Sequence, residues 1–128
     1  MYSVKIRNHI MIAHSLAHPG FGVASQLHGA TYVVDAIFSG PDLNEMNVLI
    51  DIEVASKILH QVLKELHYKN LDLIPAFKNK ITTTEFLAYY IHNQISSNTE
   101  LNFAGYLKVE LGESHIAWAA YESAINSL

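Results

Sequence analysis

The chain contains no cysteine. That single absence removes disulfide bonds, thiolate metal ligands and a cysteine nucleophile together, and makes an intracellular setting the easier expectation. Charge is sparse as well, with 8 Lys and Arg against 12 Asp and Glu and a formal net charge of −4. The basic residues are scattered and form no face of the kind a phosphate backbone requires, so nucleic acid is not an expected partner. Long hydrophobic runs are missing too. After Lys5 and Arg7 the apolar stretch Ile10, Met11, Ile12, Ala13 stops at His14, too short for a signal-peptide core or a membrane span. The expectation is a soluble cytoplasmic protein with no membrane partner.

What remains is the composition of a folded protein. Half of the 128 residues are hydrophobic and 16% are charged, far from the signature of disorder. The length suits one domain spanning residues 1–128. Residues 2–14 read as an extended segment ended by the turn cluster His18, Pro19, Gly20, Phe21, Gly22. In residues 28–38, Thr31, Val33, Asp35 and Ile37 alternate with Tyr32, Val34, Ala36 and Phe38, a strand with both faces largely apolar. Ser39, Gly40, Pro41 and Asp42 break it.

The period then changes. Val54, Ile58, Val62 and Leu66 fall four apart with Leu59 beside them, predicting an amphipathic helix from Glu53 to about Leu66. Thr82 and Glu85 have the spacing of a capping box and open a second helix carrying Leu87, Ile91 and Ile95, with Asn98 near its end. Phe103 to Leu111 alternates cleanly, and a short strand from Ile116 to Tyr121 follows a turn near Gly112. The order is ββααββ. The most economical α+β architecture is a four-stranded antiparallel sheet with two helices on one face, whose other face needs a partner.

Eight histidines are present, and a lone histidine is usually a surface or satisfied core residue. His9, His60 and His92 have no neighbour at ligand spacing and are assigned no role. The informative positions are Ala13-His14, then Ala24-Ser25-Gln26-Leu27-His28-Gly29-Ala30, then Leu66-His67-Tyr68-Lys69-Asn70-Leu71-Asp72, then Thr83-Thr84-Glu85, and finally Glu113-Ser114. The first three sit at element boundaries, where sites tend to be built.

These blocks, in this order, resemble those of the 6-pyruvoyl-tetrahydropterin and 6-carboxytetrahydropterin synthase family. Its members carry A-H at the end of the first strand, then C-x-x-x-H-G-H, L-D-H-K-N-L-D, P-T-S/T-E and E-S/T. The resemblance implies the tunnelling fold, in which four-stranded sheets from three chains join into a barrel and two such trimers stack, with active sites at subunit boundaries. It also implies zinc held by the first-strand histidine and both histidines of H-G-H. His14 and His28 match the first two of those ligands, while Ala30 stands where the third belongs. A catalytic zinc normally takes three protein ligands plus water, so His115 enters as candidate third ligand, with His18 as the other; the alternative is that neither binds metal.

The family's cysteine is matched by Ala24 and its Asp-His pair by His67 and Tyr68. Alanine can neither attack nor abstract a proton. Tyr68 as general acid and His67 as base are the candidates to replace the relay, and packing is the alternative for both. The recognition residues are kept. Thr83, Thr84 and Glu85 match the helix-opening block, and Glu113 matches the glutamate that anchors the pterin, since a carboxylate can accept two hydrogen bonds from the ring's 2-amino and N3–H edge.

The implied function is a divergent, metal-assisted lyase acting on a dihydropterin such as dihydroneopterin triphosphate. Alternatives are a non-catalytic pterin- or purine-binding oligomer and a purely structural oligomer whose site has decayed. Whether the protein is an enzyme at all stays open at this point.

Overall fold

In a computed structural model, which describes residues 1–126, the chain runs β1 (Tyr2–His14), β2 (His28–Gly40), α1 (Ile52–Lys64), α2 (Thr84–Ser96), β3 (Gly105–Ser114) and β4 (Ala117–Ile125), with short 3-10 turns at Pro19–Ser25, Leu71–Leu73 and Pro75–Phe77. The strands form one antiparallel sheet in the order β1-β2-β3-β4. This is the ββααββ arrangement that the periodicity predicts. Among the described residues no helix is long and apolar enough to cross a membrane.

Alternation puts Ile10 and Ile12 of β1, Tyr32, Val34, Ala36 and Phe38 of β2, and Leu107, Val109 and Leu111 of β3 on one buried face. The helices close over it. From α1 come Ala55, Ile58, Leu59, Val62 and Leu63, and from α2 Leu87, Ala88, Ile91 and Ile95. Each large apolar side chain taken from water there contributes roughly 1.5–3 kcal/mol. The α1 helix starts where Asp51 accepts hydrogen bonds from the backbone N–H groups of Glu53 and Val54, and it ends two residues before Leu66, whose buried side chain packs from the following turn.

Three expectations need correction. The cap of α2 is Thr83, whose hydroxyl accepts from the N–H of Phe86 at 3.1 Å. Thr82 is instead buried and turned toward His14, because its hydroxyl satisfies a buried ring nitrogen that water cannot reach. The last hairpin turns at His115 and Ile116, and β4 runs on to Ile125. Gly112 stays inside β3, opposite Trp118, because its missing side chain makes room for the indole.

The second face of β2 is not apolar throughout, for Asp35 is only 3% exposed there. Its carboxylate accepts two hydrogen bonds from the Arg7 guanidinium, at 2.8 and 3.0 Å, and lies 3.6 Å from Lys5 Nζ. The bond from Arg7 and its charge hold the Asp35 carboxyl below its usual range.

His92 lies in the core, 2% exposed, with Nε2 2.9 Å from the carbonyl oxygen of Leu107 and 3.3 Å from Ser123 Oγ, and its Nδ1 has no partner. Burial pushes its pKa below the ordinary 6.5. A histidine kept neutral by folding contributes stability that is complete above that ordinary value and is lost as pH falls from there through the folded value. His14 is depressed in the same sense. Thermal denaturation should therefore show the melting temperature falling between about pH 7.5 and 5.5, with a shallower fall in His92→Leu; an unchanged slope in that variant would contradict the assignment.

Candidate functional site

The site begins where β1 ends. His14 pairs across the ladder with His28, the first residue of β2, and the two imidazoles meet edge to face with centroids 4.7 Å apart. Both rings are oriented through Nδ1. His28 Nδ1 donates to the carbonyl oxygen of Gln26 at 2.8 Å, and His14 Nδ1 lies 3.0 Å from Thr82 Oγ1. His14 is 2% exposed, and burial first, then the neighbouring His28, lowers its pKa below 6.5. At neutral pH its ring is uncharged.

The L-x-x-x-N-L-D segment holds that pair from below. Asp72 accepts from the backbone N–H of Ser15 at 3.1 and 3.2 Å and from its hydroxyl at 2.6 Å, directly after His14. Asn70 accepts from the N–H of Asp72 and caps the short turn that carries it. The backbone N–H of Tyr68 donates to the carbonyl of Met11, and that of Ala13 to the carbonyl of Lys69, so the segment covers the outer edge of β1.

His67 and Tyr68 belong to this covering. The Nδ1 lone pair of His67 accepts from the N–H of Met11 at 3.1 Å, which commits the ring nitrogen that a general base would use. Tyr68 stacks on it at 3.8 Å, is 76% exposed, and has a φ of 60°. Their contacts run to Met11 and to each other, favouring the packing alternative. His115 sits exposed in the β3–β4 turn, and His18 Nδ1 accepts from the N–H of Gly20.

At the same end of the sheet, across β2, Gly112 pairs with Trp118 and Ser114 with Ala117, so Glu113 is the extra residue of a β-bulge. Bulges re-aim a side chain that regular alternation would point elsewhere. Glu113 borders a cleft of about 390 Å³ with Thr84, Glu85, Ala117, Trp118, Ala119 and Ala120. Three of the four residues matched to ring recognition thus meet in one cleft. The fourth, Thr83, has its hydroxyl engaged as the helix cap.

Behind the cleft stands Tyr32, a residue that sequence reasoning passed over as core. It is 1% exposed, and burial, together with the charges of Glu113 and Glu85, raises its hydroxyl pKa while a bond to Thr84 lowers it. Its parity was the available signal: His28, Ala30 and Tyr32 share one face of β2. The charge of Glu113 is felt at His14 as well, which ties the histidine pair and the carboxylate cleft into one neighbourhood.

Residues 3–124 match the family described as 6-pyruvoyl tetrahydropterin synthase. The chain belongs to that family. A 6-carboxy-5,6,7,8-tetrahydropterin synthase from Bacillus subtilis is 27% identical over 90 residues, a match spanning 70% of this chain and 62% of that relative's length. The structure of the 6-pyruvoyl tetrahydropterin synthase of Caenorhabditis elegans aligns with a TM-score of 0.81 at 22% identity over 95% of both chains. That of Plasmodium vivax aligns at 0.75 and 18% identity over 98% of this chain and 100% of the other. Likeness at such identities establishes the shared fold.

For a pterin synthase family member, the donor set here is short of a catalytic zinc centre. His14 and His28 have Nδ1 engaged, which leaves Nε2 of each as the donor, an arrangement that suits metal ligation. Ala30 offers nothing, and among the described residues no group of three or more His, Asp or Glu is placed to hold a metal ion. Among the described residues His14 and His28 offer two candidate donors where such a centre needs three.

Trp118 is the only tryptophan, and a side-chain carbon on Gly112 would stand 2.7–2.8 Å from its ring atoms. Gly112→Ala should therefore lift the indole and shift its fluorescence emission, with the fold retained by circular dichroism. An emission spectrum identical to the parent's would contradict the packing of this cleft wall.

Proposed function

We propose that the protein binds a dihydropterin, with Glu113 accepting hydrogen bonds from the ring's 2-amino and N3–H edge. The observation that carries this reading is the bulge at Glu113, which brings its carboxylate to a cleft shared with Thr84, Glu85 and Trp118. A bidentate carboxylate contact is charge-assisted, and such bonds are about twice as strong as neutral ones. Trp118 offers an aromatic wall for a flat heterocycle. A purine with the same donor edge is the nearest competitor.

A second reading, a metal-assisted lyase on a dihydropterin such as dihydroneopterin triphosphate, is favoured by the paired Nε2 donors of His14 and His28. It requires a third donor from outside the described residues of this chain. The proposal includes assembly into a homo-oligomer of two stacked trimers, supported by the outer edge of β4 and that of β1 ahead of Met11, which unpaired strands leave available to a neighbouring copy. A subunit boundary is where such a donor would enter.

Titration with 7,8-dihydroneopterin, followed by quenching of Trp118, tests the binding reading. Glu113→Gln should weaken binding by at least about tenfold, as expected for losing hydrogen bonds to a charged group. No quenching in the parent, or equal affinity in Glu113→Gln, would overturn it. Mass spectrometry of the same incubations, with metal content measured, separates the lyase from the binder, since only the lyase alters the ligand.

A further inference from the structure

The outer edge of β1 is capped one amide at a time. On the side away from β2, the backbone N–H groups of His9, Met11 and Ala13 donate in turn to the Asn8 side chain at 2.8 Å, to His67 Nδ1 at 3.1 Å and to the Lys69 carbonyl at 3.0 Å. The first and third acceptors are amide oxygens and do not titrate. The second is an imidazole nitrogen, which accepts only while it carries no proton. A proton on His67 Nδ1 sets one donor against another, and the bond to Met11 is lost.

The surroundings of His67 work in the same direction. Its ring lines a cavity of about 120 Å³ together with Asn8 and His9 of β1 and His60, Leu63 and Lys64 of α1, and Tyr68 stacks on it. No carboxylate lines that cavity. Three imidazoles and an ammonium group share the space, so a positive charge on His67 meets like charge instead of a partner. His9 and His60, which the sequence leaves without a role, acquire one here.

The bond to Met11 holds a strained segment. Tyr68 has a φ of 60°, a left-handed conformation that a non-glycine residue keeps only when its neighbours impose it. Its N–H donates to the Met11 carbonyl at 2.7 Å, so consecutive residues grip both backbone groups of Met11. The same segment continues to Asn70 and Asp72, whose carboxylate holds Ser15 next to His14.

We propose that His67 is a pH-sensitive latch, closed while its imidazole is neutral and opened by protonation, that fastens residues 67–72 to the edge of β1 and through them the corner at Ser15. Opening frees the Met11 amide, lets Tyr68 leave its left-handed conformation and loosens the hold of Asp72 on Ser15. The latch needs nothing of Glu113, so it stands or falls apart from ring binding.

Amide hydrogen exchange of the whole protein, read residue by residue by NMR as protection factors, compares about pH 7.5 with about pH 5.5 in the parent, His67→Asn and His67→Ala. Asparagine keeps an acceptor oxygen in the place of Nδ1 and does not titrate. In the parent, the Met11 amide should lose protection by at least about tenfold at the lower pH, with Ala13 and Ser15 following and Val109, in the middle of the sheet, unchanged. Met11 should stay protected at both pH values in His67→Asn and be unprotected at both in His67→Ala. Equal Met11 protection at the two pH values in the parent, or a loss of the parent's size in either variant, would overturn the latch. So would a loss that Val109 shares in full, since that is global unfolding driven by other groups.

Discussion

The contact between His14 Nδ1 and the Thr82 hydroxyl, 3.0 Å apart and buried, fixes the end of β1 against the start of α2. Because Thr82 is held there, the cap falls one residue later, on Thr83, and the first turn of the helix carries Thr84 and Glu85 toward the end of β3. The clamp of Asp72 on Ser15 holds the same corner from the other side. A site with few polar groups is positioned by a corner that has none to spare: each of these donors and acceptors is buried or engaged, and losing one leaves its partner unsatisfied at a cost of about 1–3 kcal/mol.

This arrangement separates two tasks that the family resemblance joins. Glu113, Thr84 and Glu85, which the resemblance matches to ring recognition, are all present and gathered in one cleft. The chemical step in the family is implied to use a cysteine, an Asp-His pair and a third zinc histidine, which are here Ala24, His67-Tyr68 and Ala30. The structure gives His67 a backbone hydrogen bond to Met11 and Tyr68 a solvent-facing stack, both serving the edge of β1. What is left at the centre is a buried His14 beside His28, with the Nδ1 atom of each ring already engaged.

Much of the fold could be read from periodicity, because helix and strand faces here obey their periods closely and the core is one contiguous layer between helices and sheet. The errors cluster where a local rule lost to a tertiary contact. Thr82 fits a capping box by spacing, yet its hydroxyl serves a residue 68 positions away. Gly112 has the composition of a turn, yet it is a flat bed for Trp118, and the real turn, at His115 and Ile116, contains neither glycine nor proline. Asp35 lies in an apolar run, and only the register that places it opposite Arg7 explains its burial. In the site, Glu113 was legible from its block, but the bulge that aims it was not, since a bulge is a property of pairing between two strands. Tyr32 carried no motif signal.

The central claim is that recognition of the ring survives on its own, held by Glu113 and independent of the incomplete metal site. Measuring the affinity for 7,8-dihydroneopterin in chelator-stripped protein and again after adding back zinc tests it most directly. The account predicts equal affinity, within about twofold, in the two states. Binding that appears only when zinc is restored would contradict it, and would mean that a donor from outside the described residues completes the centre around His14 and His28.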